Sequence, residues 1–248
     1  MSTREVSLAT RLRRSGVADP ERAERLLREI VAVTGVTIDD PPHALSYLAD
    51  PDSGLLQLLR LAESARDAGV PVGLADLRDS VAGAKLGVLL GGSIALGDFL
   101  VRHPELAQGI GAWPEGESFA DLDVRAALLT SVGADPAAPV PVAAMTGPDA
   151  VSAMRVAYRT ALLRIAADDL FSHEPTQLFP AVAATLADLA GAALEAGLAI
   201  ARAAEPHYAK TRLAIIGMGK CGARELNYVS DVDVIFVAEP GDGATDAE

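Results

Sequence analysis

Leu213 to Val237 reads LAIIGMGKCGARELNYVSDVDVIFV, and the assignment of its parts decides the fold. Leu213, Ala214, Ile215 and Ile216 form a short, apolar, partly branched run, which predicts a buried strand. The glycines behind it open a turn where backbone N–H groups can meet phosphate oxygens. Val232, Val234, Ile235, Phe236 and Val237 predict a second strand, rich in β-branched and aromatic residues. Asp231 and Asp233 stand two positions apart at its start. Side chains alternate along a strand, so both carboxylates project from one face.

Two carboxylates on a rigid strand suit Mg²⁺, a hard cation that takes oxygen ligands, keeps several waters and shares its substrate's phosphates. A second ion about 4 Å away would stabilise both the attacking and the leaving oxygens of an in-line displacement at phosphorus. Strand, glycine turn and Asp-x-Asp in this order point to metal-dependent nucleotidyl transfer, driven by positioning and charge neutralisation. A lone Asp-x-Asp would read more simply, with Asp231 capping a turn and Asp233 solvated. The strand and turn before it outweigh that reading.

Gly217, Gly219 and Gly222 also spell G-x-G-x-x-G after a strand, and Glu239 lies near the spacing of a ribose-binding acid in a dinucleotide fold. A parallel crossover needs about a dozen residues and usually a full helix. Gly222 to Ser230 is too short for one, and Asn227, Tyr228 and Ser230 suit a turn. No G-x-x-x-x-G-K-[ST] surrounds Lys220, which excludes a P-loop. A short helix or turn leading into an Asp-bearing strand remains.

This segment resembles the bifunctional glutamine synthetase adenylyltransferase/adenylyl-removing enzymes, whose nucleotidyltransferase domains carry a stretch like GMGKxGxxELNYxSDxDxIF. Gly217 to Lys220, Glu225 to Tyr228, Ser230, Asp231, Asp233, Ile235 and Phe236 match it as they stand. Upstream, Gly92 to Glu105 resembles the family's helix ending in a His-Pro-Glu turn. Met154 to Leu170 resembles the helix preceding its nucleotidyltransferase core. The departures are Cys221, where Leu is common, and Ala223, where Gly is common. Cys221 is compatible with packing; Ala223 questions any need for positive φ there.

The resemblance implies a mainly α chain with an α+β end: a helical N-terminal region over 1–148, then, over 149–248, supporting helices and the first strands of a DNA polymerase β-like nucleotidyltransferase mixed sheet. It implies Asp231 and Asp233 as catalytic metal ligands for two Mg²⁺ ions. Gly217, Gly219, Lys220 and Ser230 would bind nucleotide or phosphate. Lys220 could act as a point charge or face solvent as a turn residue; Ser230 could donate to phosphate or cap the turn. The family takes a third carboxylate from a later segment like VDxRLRPxG, and no such segment follows Asp233 here. An isolated hairpin is marginally stable at best. The chain is therefore expected to be an N-terminal part of a longer protein, with weak or no catalysis alone.

Family order implies the adenylyl-removing half, which phosphorolyses adenylyl-tyrosine on glutamine synthetase and releases ADP. ATP-dependent adenylylation would belong to a C-terminal half. Glutamine synthetase is the expected partner, with a PII-type signal protein as a further one. Another nucleotidyltransferase, acting on a different substrate, and a non-catalytic helical interaction module are the competing readings.

The 248 residues are 50% hydrophobic and 22% charged, enough for a substantial core and typical of globular chains. Lys+Arg 21 against Asp+Glu 34 gives a formal charge of −13. That balance argues against nucleic-acid or anionic-membrane binding, which depends on Lys and Arg. The single cysteine, Cys221, cannot form an internal disulfide, and no signal-peptide pattern opens the chain, so a cytoplasmic setting is expected. Leu86 to Leu90 and Ala181 to Ile200 are apolar but read as too short or too interrupted for membrane spans.

Before the motif the pattern is helical. Asp19 and Pro20 start a helix with Ala23, Leu26, Leu27, Ile30 and Val31 on one stripe. Pro41-Pro42, Pro51 and Pro71 punctuate further helices, and Ser93 caps another that His103-Pro104 ends. Gly109 to Pro148, with PAAPVP at Pro136 to Pro141, predicts loops around a short helix near Leu122 to Leu129 and is the best linker candidate. A long helix near Asp149 to Phe171 carries Met154, Tyr158, Leu162 and Ile165 on one face. Pro175 separates it from another near Gln177 to Ala204. Arg155, Arg159 and Arg164 could point toward phosphate, although Arg164 and Asp168 are spaced to pair along the helix. His43, His103, His173 and His207 lack metal-ligand spacing.

Overall fold

Local capping chemistry sets most of the helix boundaries. The computed structural model describes residues 6–36, 40–45, 48–70, 81–111, 118–241 and 244. It is mainly helical, with a small antiparallel sheet near its end. Cα packing divides it into two compact units, Met1–Glu117 with Ala166–His173, and Ser118–Ile165 with Glu174–Glu248.

In the first unit, α1 spans Leu8–Arg14 and α2 Pro20–Thr34. Asp19 caps α2 by accepting the Arg22 N–H at 3.0 Å, Pro20 opens it, and Gly35 closes it at φ +69°. Ala23, Leu26, Leu27 and Ile30 are buried on one stripe, as their spacing predicts, with Val31 at its margin. A short α3 (Pro41–Leu45) and the longer α4 (Pro51–Ala68) follow their prolines; Pro71 lies outside the described residues. α5 (Val81–Gly92), α6 (Ile94–Arg102) and α7 (Glu105–Gly111) follow, with α4 packed on α2, α5 and α6. Ser93 caps α6 by accepting the Leu96 N–H, and the chain leaves that helix at His103. Gln57, the buried polar residue of α4, donates to Asp98 and accepts from Arg60, so its amide is partnered on both sides.

In the second unit, α8 (Val124–Ser131), α9 (Gly147–Phe171) and α10 (Pro175–Ala204) share one core. Leu128, Leu129, Ile165, Leu186 and Leu189 are buried in it, and Met154, Tyr158 and Leu162 line its edge as the α9 stripe predicts. Burial of the Tyr158 ring raises its phenol above the ordinary value. The end of α9 groups with the first unit, where Asp168 accepts an ion pair from Lys85 of α5. Arg164 donates to the Ser118 carbonyl, at 3.5 Å.

The Gly- and Pro-rich interval is not a loose linker over its described part. Arg125 forks onto Glu195 at 2.7 and 2.6 Å and also reaches the Pro136 carbonyl, while Arg202 donates to the Pro141 carbonyl. Bidentate pairing raises the Arg125 pKa and ties the PAAPVP loop to α10. α10 itself corrects a second expectation: its 30 residues are long and apolar enough to cross a membrane. Val182, Ala183, Leu186, Leu189 and Ala196 are nevertheless buried within the protein core.

After α10, β1 (Thr211–Gly217), the single-turn α11 (Gly219–Gly222) and β2 (Val234–Pro240) form an antiparallel pair. Gly217 pairs with Val234 and Thr211 with Pro240. Antiparallel pairing rules out the crossover of a dinucleotide fold, and Glu239 faces Arg212 across the ladder at 3.5 Å. β1 forms where expected and β2 begins only at Val234, and neither is buried as expected: Ile216, Ile235 and Val237 are about half exposed and Phe236 is 61% exposed. Two strands alone leave both faces of a sheet without a covering layer.

Candidate active site

The turn between the strands is built by close backbone approach. Met218 N–H donates to the Asp233 carbonyl at 2.8 Å, extending the ladder beyond Gly217. Gly219 takes φ +53°, and Gly222 lies so near the Gly217 carbonyl that a Cβ there would sit 2.4 Å from its oxygen. Gly219 suits the left-handed backbone, and any side chain at Gly222 would collide with main chain.

α11 ends in a Schellman arrangement. Arg224 N–H donates to the Cys221 carbonyl at 3.2 Å and Glu225 N–H to the Lys220 carbonyl at 2.8 Å. The left-handed residue is Arg224, at φ +58°, whereas Ala223 is right-handed at φ −79°. Replacing a common glycine at 223 by Ala is therefore harmless to the backbone, because the positive φ falls one residue later. Leu226, 4% exposed, anchors the far side of the turn in the α8–α10 core, with Cys221 and Val232 packed at its edge. Cys221 thus fills a packing position, as its size allows.

Asp231 and Asp233 precede β2 rather than lying within it. Burial still alternates: both aspartates are exposed while Val232 and Val234 are half-buried. A carboxylate oxygen of Asp233 stands 3.7 Å from where a Cβ on Gly219 would be, so this acid overhangs the glycine turn. Lys220 Nζ donates to the half-buried Ser230 hydroxyl at 3.4 Å, linking the two sides of the connection. The structure thus brings Gly219 to Asp233 and Lys220 to Ser230, with Asp231 exposed beside them and Gly217 at the turn's base. Arg155 and Arg159 are exposed on α9. His103 pairs with Glu105 at 3.3 Å and stacks near Phe99.

Two exposed carboxylates match the needs of a divalent cation that retains waters and shares substrate phosphates. Among the described residues no group of three or more His, Cys, Asp or Glu gathers as a metal cluster. The oxygen donors of Asp231 and Asp233 are of the kind that Mg²⁺ takes, and further ligands would be needed to fill its shell. Reading the sequence missed Arg224 and its partner Asp188 of α10, which accepts from its guanidinium at 2.5 Å. A left-handed helix terminus is signalled by Gly or Asn, so an Arg there gives no sequence cue.

Residues 85–248 match the family described as glutamate-ammonia ligase adenylyltransferase. The chain belongs to that family. It is 40% identical, over 99% of its length, to the bifunctional glutamine synthetase adenylyltransferase/adenylyl-removing enzyme of Leifsonia xyli subsp. xyli, covering 24% of that protein. The enzymes of the same name from Streptomyces avermitilis and Mycobacterium avium are 42% and 41% identical, over 99% and 94% of this chain and 23% of each relative. This family member therefore spans about a quarter of the length of the curated relatives it matches. No solved structure matches it significantly.

Proposed function

We propose that this chain is the N-terminal part of a glutamine synthetase adenylyl-removing/adenylyltransferase enzyme, and that Ser230, Asp231 and Asp233 belong to the site that removes adenylyl groups. The single observation that carries this reading is the Asp233 carboxylate held over a glycine turn, with exposed Asp231 two residues before it and Lys220 of the turn reaching Ser230 across the connection. On this reading, residues 149–248 begin a DNA polymerase β-like nucleotidyltransferase domain, and 1–148 form the helical region before it. The setting is cytoplasmic, the protein partner is glutamine synthetase, and a PII-type protein is a candidate regulator.

In the reaction so proposed, an oxygen of inorganic phosphate attacks the phosphorus of adenylyl-tyrosine. The bond from phosphorus to the phenolic oxygen breaks, ADP forms, and the phenolate takes a proton to restore tyrosine. Gly217 and Gly219 let backbone N–H groups approach phosphate closely, because no Cβ intervenes. Lys220 offers a positive charge at the turn, and Ser230 holds that ammonium by accepting its hydrogen bond. Asp231 and Asp233 would hold Mg²⁺, which when bound supplies neutralisation of the charge that develops on the transferring phosphoryl group. ATP would be the substrate of the separate adenylylating half.

The test is ADP release from adenylylated glutamine synthetase with phosphate and Mg²⁺. It would compare this chain, a form extended through a VDxRLRPxG-like segment, and the extended form carrying Asp231→Asn and Asp233→Asn. Activity confined to the extended, unsubstituted form supports the removing reaction. A folded extended form that releases no ADP would instead favour another nucleotidyl transfer or a binding role.

A further inference from the structure

Arg224 occupies a backbone position that glycine would fill without strain, at φ +58° in the Schellman terminus of α11. Its side chain reaches back to Asp188, on the α10 helix that carries the core of the second unit. We propose that Arg224 is a positioning residue. Through its ion pair with Asp188 it seats the glycine turn against α10, and so sets Lys220 and Gly219 relative to Ser230 and the two aspartates. This inference rests on the reading of Asp231 and Asp233 as cation ligands.

The connectivity explains how one pair can act on the site. Glu225, next to Arg224, bonds back to the Lys220 carbonyl, and Met218, before Gly219, bonds to the Asp233 carbonyl. The residues from Met218 to Glu225 therefore form one hydrogen-bonded unit with an end on the aspartate segment and an end at Arg224. Leu226 fixes that second end from below, by burial; the Arg224–Asp188 pair fixes it from the side, at the surface, with both partners about half exposed. Cys221 adds a partly buried contact with the same core. An exposed pair contributes modestly, so its loss is expected to loosen the turn rather than unfold the unit.

The experiment measures Mn²⁺ binding to the full 248-residue chain by paramagnetic broadening of the Lys220 to Asp233 amide signals, with Mg²⁺ as competitor. The proteins are the wild type, Arg224→Glu, Asp188→Arg, the two changes combined, and Arg224→Gly, which accepts the left-handed backbone while lacking the guanidinium. Positioning predicts that each single change and Arg224→Gly weaken Mn²⁺ binding about two- to fivefold, and that the reversed pair restores most of it. A simple field effect predicts otherwise: Arg224→Glu would strengthen cation binding and Asp188→Arg would weaken it. Opposite signs, or unchanged affinity in every variant, overturn the positioning role and leave the cation site standing. Absence of Mn²⁺ broadening in the wild type overturns the cation site, and this inference with it. Circular dichroism at matched temperature confirms that each variant is folded, and Arg224→Gly supplies the decisive comparison should a charge-reversed variant fail that check.

Discussion

In α10, Val182, Leu186, Leu189 and Ala196 are buried in one core with residues of α8 and α9, whereas in the hairpin Ile216, Ile235, Phe236 and Val237 stand in contact with solvent. Both stretches are apolar in sequence. They differ in what each needs before it can bury itself. A helix satisfies its own backbone and requires only a neighbour for its stripe, which α8 and α9 supply. A strand pair satisfies half of its backbone groups and exposes two faces until other layers cover them. Hydrophobicity alone therefore does not locate the core of this chain; the number of partners each element can recruit does.

The largest effect that could break this comparison is expected at Leu189, fully buried in α10. Leu189→Ala should lower the unfolding free energy by about 2–5 kcal/mol in urea titration, since a cavity in a packed core cannot fully collapse. A loss below about 1 kcal/mol would mean that the α8–α10 core is far looser than its burial shows.

Gly222→Ala should come next, costing about 1–3 kcal/mol locally because its Cβ would collide with the Gly217 carbonyl 2.4 Å away. Amide exchange should accelerate from Met218 to Glu225 while α10 stays protected. Equal loss of protection in α10 would show that hairpin and helix unfold as one unit.

A smaller effect tests the helical caps. Asp50 accepts hydrogen bonds from the Ser53 hydroxyl and Ser53 N–H at the start of α4, and these hold its carboxyl below the usual range. Its proton is therefore bound more weakly in the folded chain than in the unfolded one. The stabilisation is present above the ordinary aspartate pKa of about 3.9 and is lost as pH falls through the lower folded value. Asp50→Ala should cost about 1 kcal/mol at neutral pH. Asp50→Asn should keep most of the cap and make the acid limb of a pH titration shallower. An acid limb unchanged by Asp50→Asn would remove this carboxylate from the account.

The smallest change is expected at Phe236. Phe236→Ser on the exposed strand face should alter stability by less than about 0.5 kcal/mol in the same urea titration. A loss above about 2 kcal/mol would show that the face is covered in solution, and the contrast with α10 would then disappear.

What could be read from residues alone divides along the same line. Asp19 with Pro20, and Ser93 with His103, mark helix boundaries by chemistry acting within a few residues, and the helices begin and end there. The order strand, glycine turn, aspartates, strand was also legible, because a short connection permits only a tight pairing. The exposure of that pairing was not, since alternation and branching report what a strand prefers rather than what covers it. The Asp168 partner was equally hidden. Lys85 reaches that carboxylate from 83 residues away, a pairing that local spacing does not announce. Arg224 gives no local signal, because a left-handed helix terminus is normally announced by glycine.

The sequence by itself determined the family, the helix caps, the two strands and the candidate acids Asp231 and Asp233, because each depends on residues near one another along the chain. Only the tertiary structure decided which apolar stretch became core, that β2 starts after the aspartates, that Lys220 meets Ser230, and that Arg224 closes the turn onto Asp188. Those outcomes depend on contacts between distant segments, and a pattern of local spacing carries no record of which distant partner arrives.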